Sequence, residues 1–201
     1  MAAGADRRVS DPAIQHAILD RDGVLNREAE EGWLSTPEQW EWEKGSLEAL
    51  QRLSRAGLKI SVVSNQSGIG RGVVSRDEVD RLHRWLAEKL AAQGVELSGI
   101  YICPHAPDEG CDCRKPLPGL VRQAIDESGV PPERSILIGD DKRDLEAGQA
   151  AGVRTALVLT GKGDLVRDQI EPDTLVFRNL LEAVISVVEE SAGAPGATRS
   201  H

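Results

Sequence analysis

Two carboxylates stand two positions apart directly after an apolar run, in the sequence Asp20-Arg21-Asp22-Gly23. At this spacing both can reach one site. A carboxylate can attack phosphorus if a cation screens the repulsion between the anions, and a second carboxylate can exchange protons with the leaving oxygen and with water. An Asp pair at a strand end is also typical of turn chemistry, so the motif needs partners.

Two further groups have the chemistry to bind phosphate. Ser64 and Asn65 open a turn that Gly68 punctuates, where a hydroxyl and backbone N–H groups can bind phosphoryl oxygens. The guanidinium of Arg114 is suited to bidentate contact with a phosphate, and the ammonium of Lys115 supplies a point charge suited to a phosphoryl group that is being transferred. The alternative for this basic pair is a solvated surface position, which is usual for Arg and Lys.

More carboxylates follow a later apolar run, at Asp140, Asp141 and Asp144. Oxygen ligands of this kind suit Mg²⁺, so the cluster predicts a contribution to a magnesium site. Acidic residues also favour the first turn of a helix because they interact well with its dipole, which is the alternative for Asp144.

The three cysteines of the chain all lie close to one histidine. Cys103, His105, Cys111 and Cys113 supply three thiolates and an imidazole, a complete tetrahedral set for zinc. Four protein ligands leave no open position, which predicts a structural metal; the alternative is three reduced cysteines and a surface histidine. Lys115 follows the cluster at once, so the zinc would also fix how this lysine enters the site.

The elements that must position these groups are predicted to form an α/β fold. Short β-rich runs alternate with helical patterns, which predicts a doubly wound parallel sheet with helices on both faces. Ser46, Ser75 and Asn179 are predicted helix caps. The polar groups above then follow the carboxyl ends of strands, where open α/β sheets bind ligands. The predicted strands are 17–19, 58–63, 100–102, 135–138, 155–159 and 175–177.

The length of 201 residues predicts one domain over 13–190, with loose tails at 1–12 and 191–201. The intervals before and after Ser64 are too short for a cap domain. We expect the loop from Arg27 to Lys44 and the zinc loop to cover the site instead. Trp33, Trp40 and Trp42 lie in the first loop, where packing is favoured over stacking on a sugar.

The net charge of −9 argues against nucleic-acid binding, which needs a basic surface. No apolar run is long enough to span a membrane, and residues 1–15 lack the apolar core of a secretory signal. We therefore expect a cytoplasmic protein without membrane or nucleic-acid partners, acting as a monomer. His16 and His83 have no motif partner and are interpreted as structural.

In this order the groups resemble the four motifs of the haloacid dehalogenase-like hydrolases. The resemblance implies that Asp20 is the nucleophile and Asp22 the acid/base, while Ser64 and Lys115 hold the phosphoryl group. It also implies that Mg²⁺ lies between Asp20, the backbone carbonyl of Asp22, and Asp140. Members that act on carbon–halogen bonds or phosphonates lack an acid at the position of Asp22, so the resemblance further implies phosphate-ester hydrolysis or phosphoryl transfer.

Four stretches together resemble the D,D-heptose 1,7-bisphosphate phosphatase family over about residues 16–160: DRDGVLN, SNQSGIGRG, CPHAPDEGCDCRKPLPG and IGDD. In that family the phosphate at carbon 7 of the sugar is removed, and Arg114 suits the second phosphate. Asp141 departs from members that have Lys there, which leaves it as a metal or substrate contact or a bystander. The predicted substrate-binding residues are Asn26, Ser64, Asn65, Gln66, Ser67, Arg114, Lys115 and Asp141.

Three alternatives remain open at this point. Histidinol-phosphate phosphatases share the zinc loop and the four motifs, so a different small phosphate ester is possible. An open site would also admit nucleic-acid ends, against which the acidic charge counts. The third alternative is a zinc-stabilised interaction module without catalysis, which the intact set of motif residues opposes.

Overall fold

The computed structural model describes residues 13–29 and 32–193, which contain a six-stranded sheet. The strands lie in the order β3-β2-β1-β4-β5-β6, and each neighbouring pair is parallel. The doubly wound parallel sheet predicted from sequence is therefore confirmed. The strands are β1 (His16–Leu19), β2 (Lys59–Asn65), β3 (Gly99–Cys103), β4 (Ser135–Gly139), β5 (Arg154–Val158) and β6 (Leu175–Phe177).

Six α-helices connect or follow these strands in the described residues, and short 3₁₀ turns lie at 37–39, 132–134 and 167–169. The helices are α1 (Ser46–Arg55), α2 (Arg76–Ala91), α3 (Gly119–Ser128), α4 (Lys142–Ala151), α5 (Gly163–Val166) and α6 (Leu180–Gly193).

The sheet is buried on both faces, which is why its central strands are continuous apolar runs rather than alternating ones. In β1, Ala17 and Leu19 join a core cluster with α1, α2 and α6, while Ile18 faces a second cluster with α3 and α4. β4 repeats the pattern, with Ile136 on the first face and Leu137 on the second. Successive side chains on a strand point to opposite faces, so two cores form around one sheet.

Most predicted helix ends are confirmed. The side chains of Ser75 and Glu78 form a reciprocal capping box at α2, and Asn179 accepts a hydrogen bond from the N–H of Glu182 at the start of α6. Ser46 is not the cap of α1. Gly45 takes that position with φ of 81°, while the Ser46 hydroxyl donates to the carbonyl of Leu25 and ties α1 to the end of the first motif.

Within 13–29 and 32–193 the connections leave no space for a cap domain. One short 3₁₀ turn and α1 lie between β1 and β2, and α2 alone lies between β2 and β3. The predicted tail at 1–12 and most of that at 191–201 fall outside the described residues, and α6 continues to Gly193. No helix in the described ranges is long and apolar enough to cross a membrane.

The sheet extends to both sides of β1, and this topology determines where a ligand-binding crevice forms. β2 and β3 extend the sheet on one side of β1, and β4 to β6 extend it on the other. The strand order therefore reverses between β1 and β4, and a crevice opens at their carboxyl ends. Asp20 follows β1 and Asp140 follows β4, so the fold brings these two carboxylates together.

Candidate active site

A buried lysine surrounded by carboxylates lies at the centre of this crevice. The ammonium Nζ of Lys115 is 2.8 Å from Oδ1 of Asp20 and 2.5 Å from Oδ1 of Asp144. Asp140 joins them, since one carboxylate oxygen from each of Asp20, Asp140 and Asp144 lies within 4.8 Å of the others. All four side chains are buried.

The electrostatics of this group fit a divalent cation. Burial raises the pKa of Asp20 to about 7, against the opposing effect of Lys115. Burial also raises the pKa of Asp140 to about 8, with Asp20 and Asp144 adding to the rise. Three carboxylates facing one ammonium leave an excess of negative charge away from water, and hard oxygen ligands are those that Mg²⁺ prefers.

Two glycines make room for Asp140. A Cβ on Gly23 would lie 2.1 Å from Oδ2 of Asp140, and one on Gly161 would lie 2.0 Å from the same oxygen. Gly23 also has φ of 81°, a conformation that favours glycine. The backbone N–H of Lys162 donates to this Oδ2 at 2.8 Å, which orients the carboxylate. The glycine in the first motif is therefore required by close approach as well as by the turn.

Asp22 lies beside this group but has its own partners. Its Oδ1 accepts hydrogen bonds from Asn26 Nδ2 at 2.9 Å and from the guanidinium of Arg21 at 3.0 Å, and its Oδ2 accepts one from Gln66 Nε2 at 2.9 Å. Burial acts to raise the pKa of Asp22, but Arg21, Asn26 and Gln66 outweigh it and hold the pKa below its usual value. The Ser64 hydroxyl lies 3.5 Å from Oδ2 and accepts a bond from Gln66.

Lys115 is held along its whole length. The side-chain amide of Asn65 donates to the backbone carbonyl of Lys115 and accepts from its N–H, both at 3.0 Å. At the other end, Nζ donates to the carbonyl of Val63 at 3.0 Å. Burial alone would lower the pKa of Lys115, but Asp144 and Asp20 raise it well above the usual value, so the side chain is a cation.

These groups line a cavity of about 430 Å³. The predicted residues Asn65, Ser67, Arg114 and Asp141 line it, whereas Asn26 and Gln66 do not, because their amides are directed to Asp22. Asp141 has a second use, since its carboxylate caps α4 and pairs with Arg143 at 2.6 Å. The full lining is Asp20, Asp22, Glu28, Ala29, Gly32, Trp33, Ser64, Asn65, Ser67, Arg114, Lys115, Asp140, Asp141, Arg143, Asp144 and Lys162.

The tryptophans of the first loop divide between core and cavity. Trp40 is buried and packs edge-on against Trp42 and against Trp85 of α2, with ring centroids 5.2 and 5.8 Å away, respectively. These contacts pack the loop onto the domain. Trp33 instead lines the cavity, with its ring over Gly68, where a Cβ would come within 2.5 Å of Cδ1.

The cysteine cluster has the dimensions of a zinc site. Nδ1 of His105 is 3.5 Å from the sulfur of Cys103 and 3.4 Å from that of Cys113, and the sulfurs of Cys103 and Cys111 are 3.7 Å apart. Tetrahedral zinc with ordinary bond lengths places ligand sulfurs about 3.8 Å apart and sulfur and nitrogen about 3.6 Å apart. The four residues therefore fit this metal in number, type and spacing.

The zinc loop is joined to the Ser64 turn by backbone hydrogen bonds. Gln66 N–H donates to the carbonyl of Cys103, and Gly70 N–H donates to that of Pro104, both at 2.8 Å. A Cβ on Gly70 would lie 2.6 Å from the backbone nitrogen of Ala106, so the two segments are in close contact. The zinc loop, which leads into Lys115, and the turn that begins at Ser64 are therefore joined to each other.

Sequence reasoning missed some of the site. From sequence, Asp144 belongs to a carboxylate cluster suited to Mg²⁺ but is not assigned as a ligand, because a first-turn acid is the alternative; the structure places it with Asp20 and Asp140. His83 does have a motif partner, because its Nε2 is 2.9 Å from NH1 of Arg21. His16 is hydrogen bonded to Ser61 at the opposite end of β1, which agrees with a structural role. No sequence pattern points to Lys162, which pairs with Glu28 at the cavity rim.

Comparison with known proteins gives one consistent set of relatives. A family model for HAD-hydrolase-like proteins matches residues 112–183. D-glycero-beta-D-manno-heptose-1,7-bisphosphate 7-phosphatase of Pseudomonas putida is 43% identical over 164 residues, which are 81% of this chain and 93% of the relative. The enzyme of the same name from Pasteurella multocida is 44% identical over 152 residues, 72% of this chain and 82% of the relative.

Solved structures agree with these relatives. The crystal structure of D,D-heptose 1,7-bisphosphate phosphatase from B. bronchiseptica, complexed with magnesium and phosphate, has a TM-score of 0.82 and 35% identity, and the match covers 88% of this chain and 99% of that one. The enzyme from Burkholderia thailandensis has a TM-score of 0.64 and 31% identity, with 86% and 97% covered.

The cysteine cluster generates a first prediction. Purified protein should contain one zinc ion per chain, and Cys111→Ser should lower the melting temperature by about 5 °C or more, because a structural metal contributes directly to folding. Phosphatase activity should fall with it, since Lys115 follows the loop. Metal analysis, thermal melts and activity are measured, with Asp112→Ser as the matched control. Equal melting temperatures for the two variants would contradict the zinc assignment.

A second prediction concerns Asp144. Asp144→Asn keeps the shape of the side chain but removes one of the three charges, so the Mg²⁺ concentration that gives half-maximal activity should rise by about 10-fold or more. The measurement is a magnesium titration of phosphatase activity. Glu146→Gln, at a half-buried position on the same helix whose carboxylate faces Lys142, should leave the titration unchanged. An unchanged titration for Asp144→Asn would exclude Asp144 from the cation site.

Proposed function

Because the chain belongs to the D-glycero-beta-D-manno-heptose-1,7-bisphosphate 7-phosphatase family, we propose that it hydrolyses the 7-phosphate of D-glycero-D-manno-heptose 1,7-bisphosphate and leaves heptose 1-phosphate. One observation carries the chemical part of this proposal. Asp20 lies at the cavity between a buried lysine and two further buried carboxylates, with Asp22 beside it. This set suits attack on a phosphate monoester by a carboxylate.

In the first step, Asp20 attacks phosphorus, and the bond from phosphorus to the sugar oxygen breaks. Oδ1 of Asp20 already accepts hydrogen bonds from Lys115 Nζ at 2.8 Å and from the N–H of Arg21 at 2.7 Å. We therefore assign the attack to Oδ2. Asp22 gives its proton to the departing sugar oxygen, so the sugar leaves as an alcohol and an aspartyl phosphate remains on Asp20.

In the second step, Asp22 takes a proton from a water molecule that attacks the same phosphorus. The bond to Asp20 breaks, and inorganic phosphate is released. Asp22 thus acts first as an acid and then as a base, and it needs a fixed position for both. The bonds that Asn26, Arg21 and Gln66 make to its carboxylate fix that position, and because they also hold its pKa below the usual value, they favour the base of the second step over the acid of the first.

The phosphoryl oxygens need cationic and hydrogen-bonding partners during both steps. Lys115 supplies the buried ammonium, and the hydroxyl of Ser64 lies on the cavity wall beside Asp22. Asp20, Asp140 and Asp144 would hold Mg²⁺, together with the backbone of Asp22 that the family resemblance implies. Bound there, Mg²⁺ offsets the charge of the carboxylates and polarises the phosphoryl group.

Arg114 supports a bisphosphate over a monophosphate substrate. It lines the same cavity as Lys115, and within residues 13–29 and 32–193 its guanidinium donates to one carbonyl, that of His105 at 3.4 Å. The other two cations on the rim have carboxylate partners, since Arg143 pairs with Asp141 and Lys162 with Glu28. We therefore assign Arg114 to the second phosphate and retain histidinol phosphate as the alternative substrate.

We further propose that the chain works as a monomer in the cytoplasm, on a small sugar phosphate and without membrane or nucleic-acid partners. A reducing compartment suits three cysteines that must stay thiolates to hold zinc. Light scattering coupled to size-exclusion chromatography gives the oligomeric state directly.

A third prediction tests the nucleophile. Asp20→Asn should lower kcat by at least about 10³-fold while the protein stays folded, because an amide cannot form the acyl phosphate. Activity is measured beside circular dichroism and thermal melting. Asp126→Asn, an exposed change on α3, controls for loss of a charge. Retention of full activity in Asp20→Asn would overturn the mechanism.

A fourth prediction tests the substrate. The ratio kcat/KM should be higher for heptose 1,7-bisphosphate than for histidinol phosphate, and Arg114→Gln should lower it by about 10-fold or more for the bisphosphate alone, since a charge-assisted hydrogen bond is lost. Arg122→Gln, on the surface of α3, serves as the control. A preference for histidinol phosphate in the parent protein would move the assignment to that ester.

A further inference from the structure

Arg21 is the residue between the two motif aspartates, and its side chain is completely buried. It does not reach into the cavity. Its Nε and NH2 atoms lie 3.3 and 3.0 Å from Oδ1 of Asp22, and its NH1 lies 2.9 Å from Nε2 of His83. Every nitrogen of the guanidinium therefore has a protein partner, and the group links α2 to the carboxylate of Asp22.

The contact with His83 fixes the state of that imidazole. Arginine remains charged and can only donate, so Nε2 of His83 must be the acceptor and the proton must be on Nδ1. Burial, with Arg21 adding to it, lowers the pKa of His83 to about 3, which agrees with a neutral ring. His83 lies on the inner face of α2, whose residues Leu82 and Leu86 are in the core, so the acceptor has a rigid support.

The two oxygens of Asp22 are thus held from different parts of the chain. Oδ1 is bound by Arg21 and Asn26 of the first motif loop, and Oδ2 is bound by Gln66 of the turn after β2. Arg21 is the only one of these donors that is itself anchored to a helix, through a residue 62 positions away. Without an acceptor at position 83, NH1 of Arg21 would be a buried charged donor with no partner. Rotation of the guanidinium toward another acceptor, and away from Asp22, would then be favoured.

We propose that Arg21 and His83 form a positioning pair that sets the carboxylate of Asp22 for proton transfer. This rests on the proposed function, in which Asp22 is the acid and the base. Neither residue is among those that line the cavity. The pair acts by orienting Asp22, so its effect depends on how much the leaving oxygen needs a proton.

The dependence on the leaving group distinguishes a positioning role of the pair from a general loss of structure. The oxygen of a sugar leaves as an alcohol only if a proton arrives, whereas p-nitrophenolate departs without one at neutral pH. A misplaced Asp22 should therefore slow the release of a sugar strongly and the release of p-nitrophenolate weakly. Partial unfolding or a distorted phosphate site would slow both to the same extent.

The experiment compares His83→Leu with His83→Gln. Leucine fills the space but cannot accept the bond from Arg21, whereas the amide oxygen of glutamine can. For heptose 1,7-bisphosphate, His83→Leu should lower kcat by roughly 10- to 100-fold with KM changed less than about twofold, since small misplacements of a catalytic group have effects of this size. The rapid first release of p-nitrophenolate from p-nitrophenyl phosphate should change less than about threefold, and His83→Gln should restore most of kcat.

His16→Leu is the matched control. His16 is also buried, with a pKa lowered to about 4 by burial, and is hydrogen bonded to Ser61, but it lies at the amino end of β1 away from the cavity. This variant should lose stability without changing the ratio of the two activities. Equal losses on both esters in His83→Leu, or failure of glutamine to restore kcat, would overturn the proposal.

A crystal structure of each His83 variant provides a readout that does not depend on the substrate. The carboxylate of Asp22 should be rotated or displaced in His83→Leu and in place in His83→Gln. An unmoved Asp22 in His83→Leu would overturn the positioning pair. If the parent protein hydrolyses p-nitrophenyl phosphate but not heptose bisphosphate, the proposed substrate fails, while the structures still decide the role of the pair.

Discussion

The ion pairs of Lys115 with Asp20 and Asp144 are the interaction on which the rest of the structure depends. Removing an ammonium and carboxylates from water costs several kcal/mol for each ion in general, so such a group persists only if its geometry is enforced by the surrounding fold. Here Asp20 follows β1, Asp144 lies in the first turn of α4 after β4, and the lysine comes from a loop after β3. The parallel sheet brings their three origins to one edge.

The lysine presents the harder problem, because it lies on a loop rather than at a strand end. Three constraints act on it: the zinc-binding residues that precede it, the amide of Asn65 that pairs with its backbone, and the carbonyl of Val63 that accepts from its ammonium. The last two both belong to β2, the neighbour of β1. These contacts tie the loop to the sheet and give a physical reason for the cysteine cluster to lie directly before Lys115.

The sequence predicts the sheet, the zinc ligands and the motif order because each leaves a local signal: an apolar run, a ligand spacing, or a polar residue after a strand. It does not predict how the amides are used. Asn26, Asn65 and Gln66 all have groups suited to phosphate, yet in the fold they orient Asp22 and Lys115. Their partners are fixed by tertiary contacts, as is the contact of His83 with Arg21, so no spacing rule reveals them.

The strand ends and the loops of this fold supply different kinds of groups to the cavity. The chemistry proposed for the groups at the strand ends is one that any phosphate monoester requires, so these groups would not distinguish one sugar from another. The walls that can do so come from connections: Trp33, seated over Gly68, lies on the loop after β1, and Arg114 lies on the zinc loop. A bare Cα at Gly68 allows the ring to approach the turn after β2, because a Cβ there would collide with it. Selectivity can therefore change through these two loops while Asp20, Lys115 and Asp144 keep their geometry.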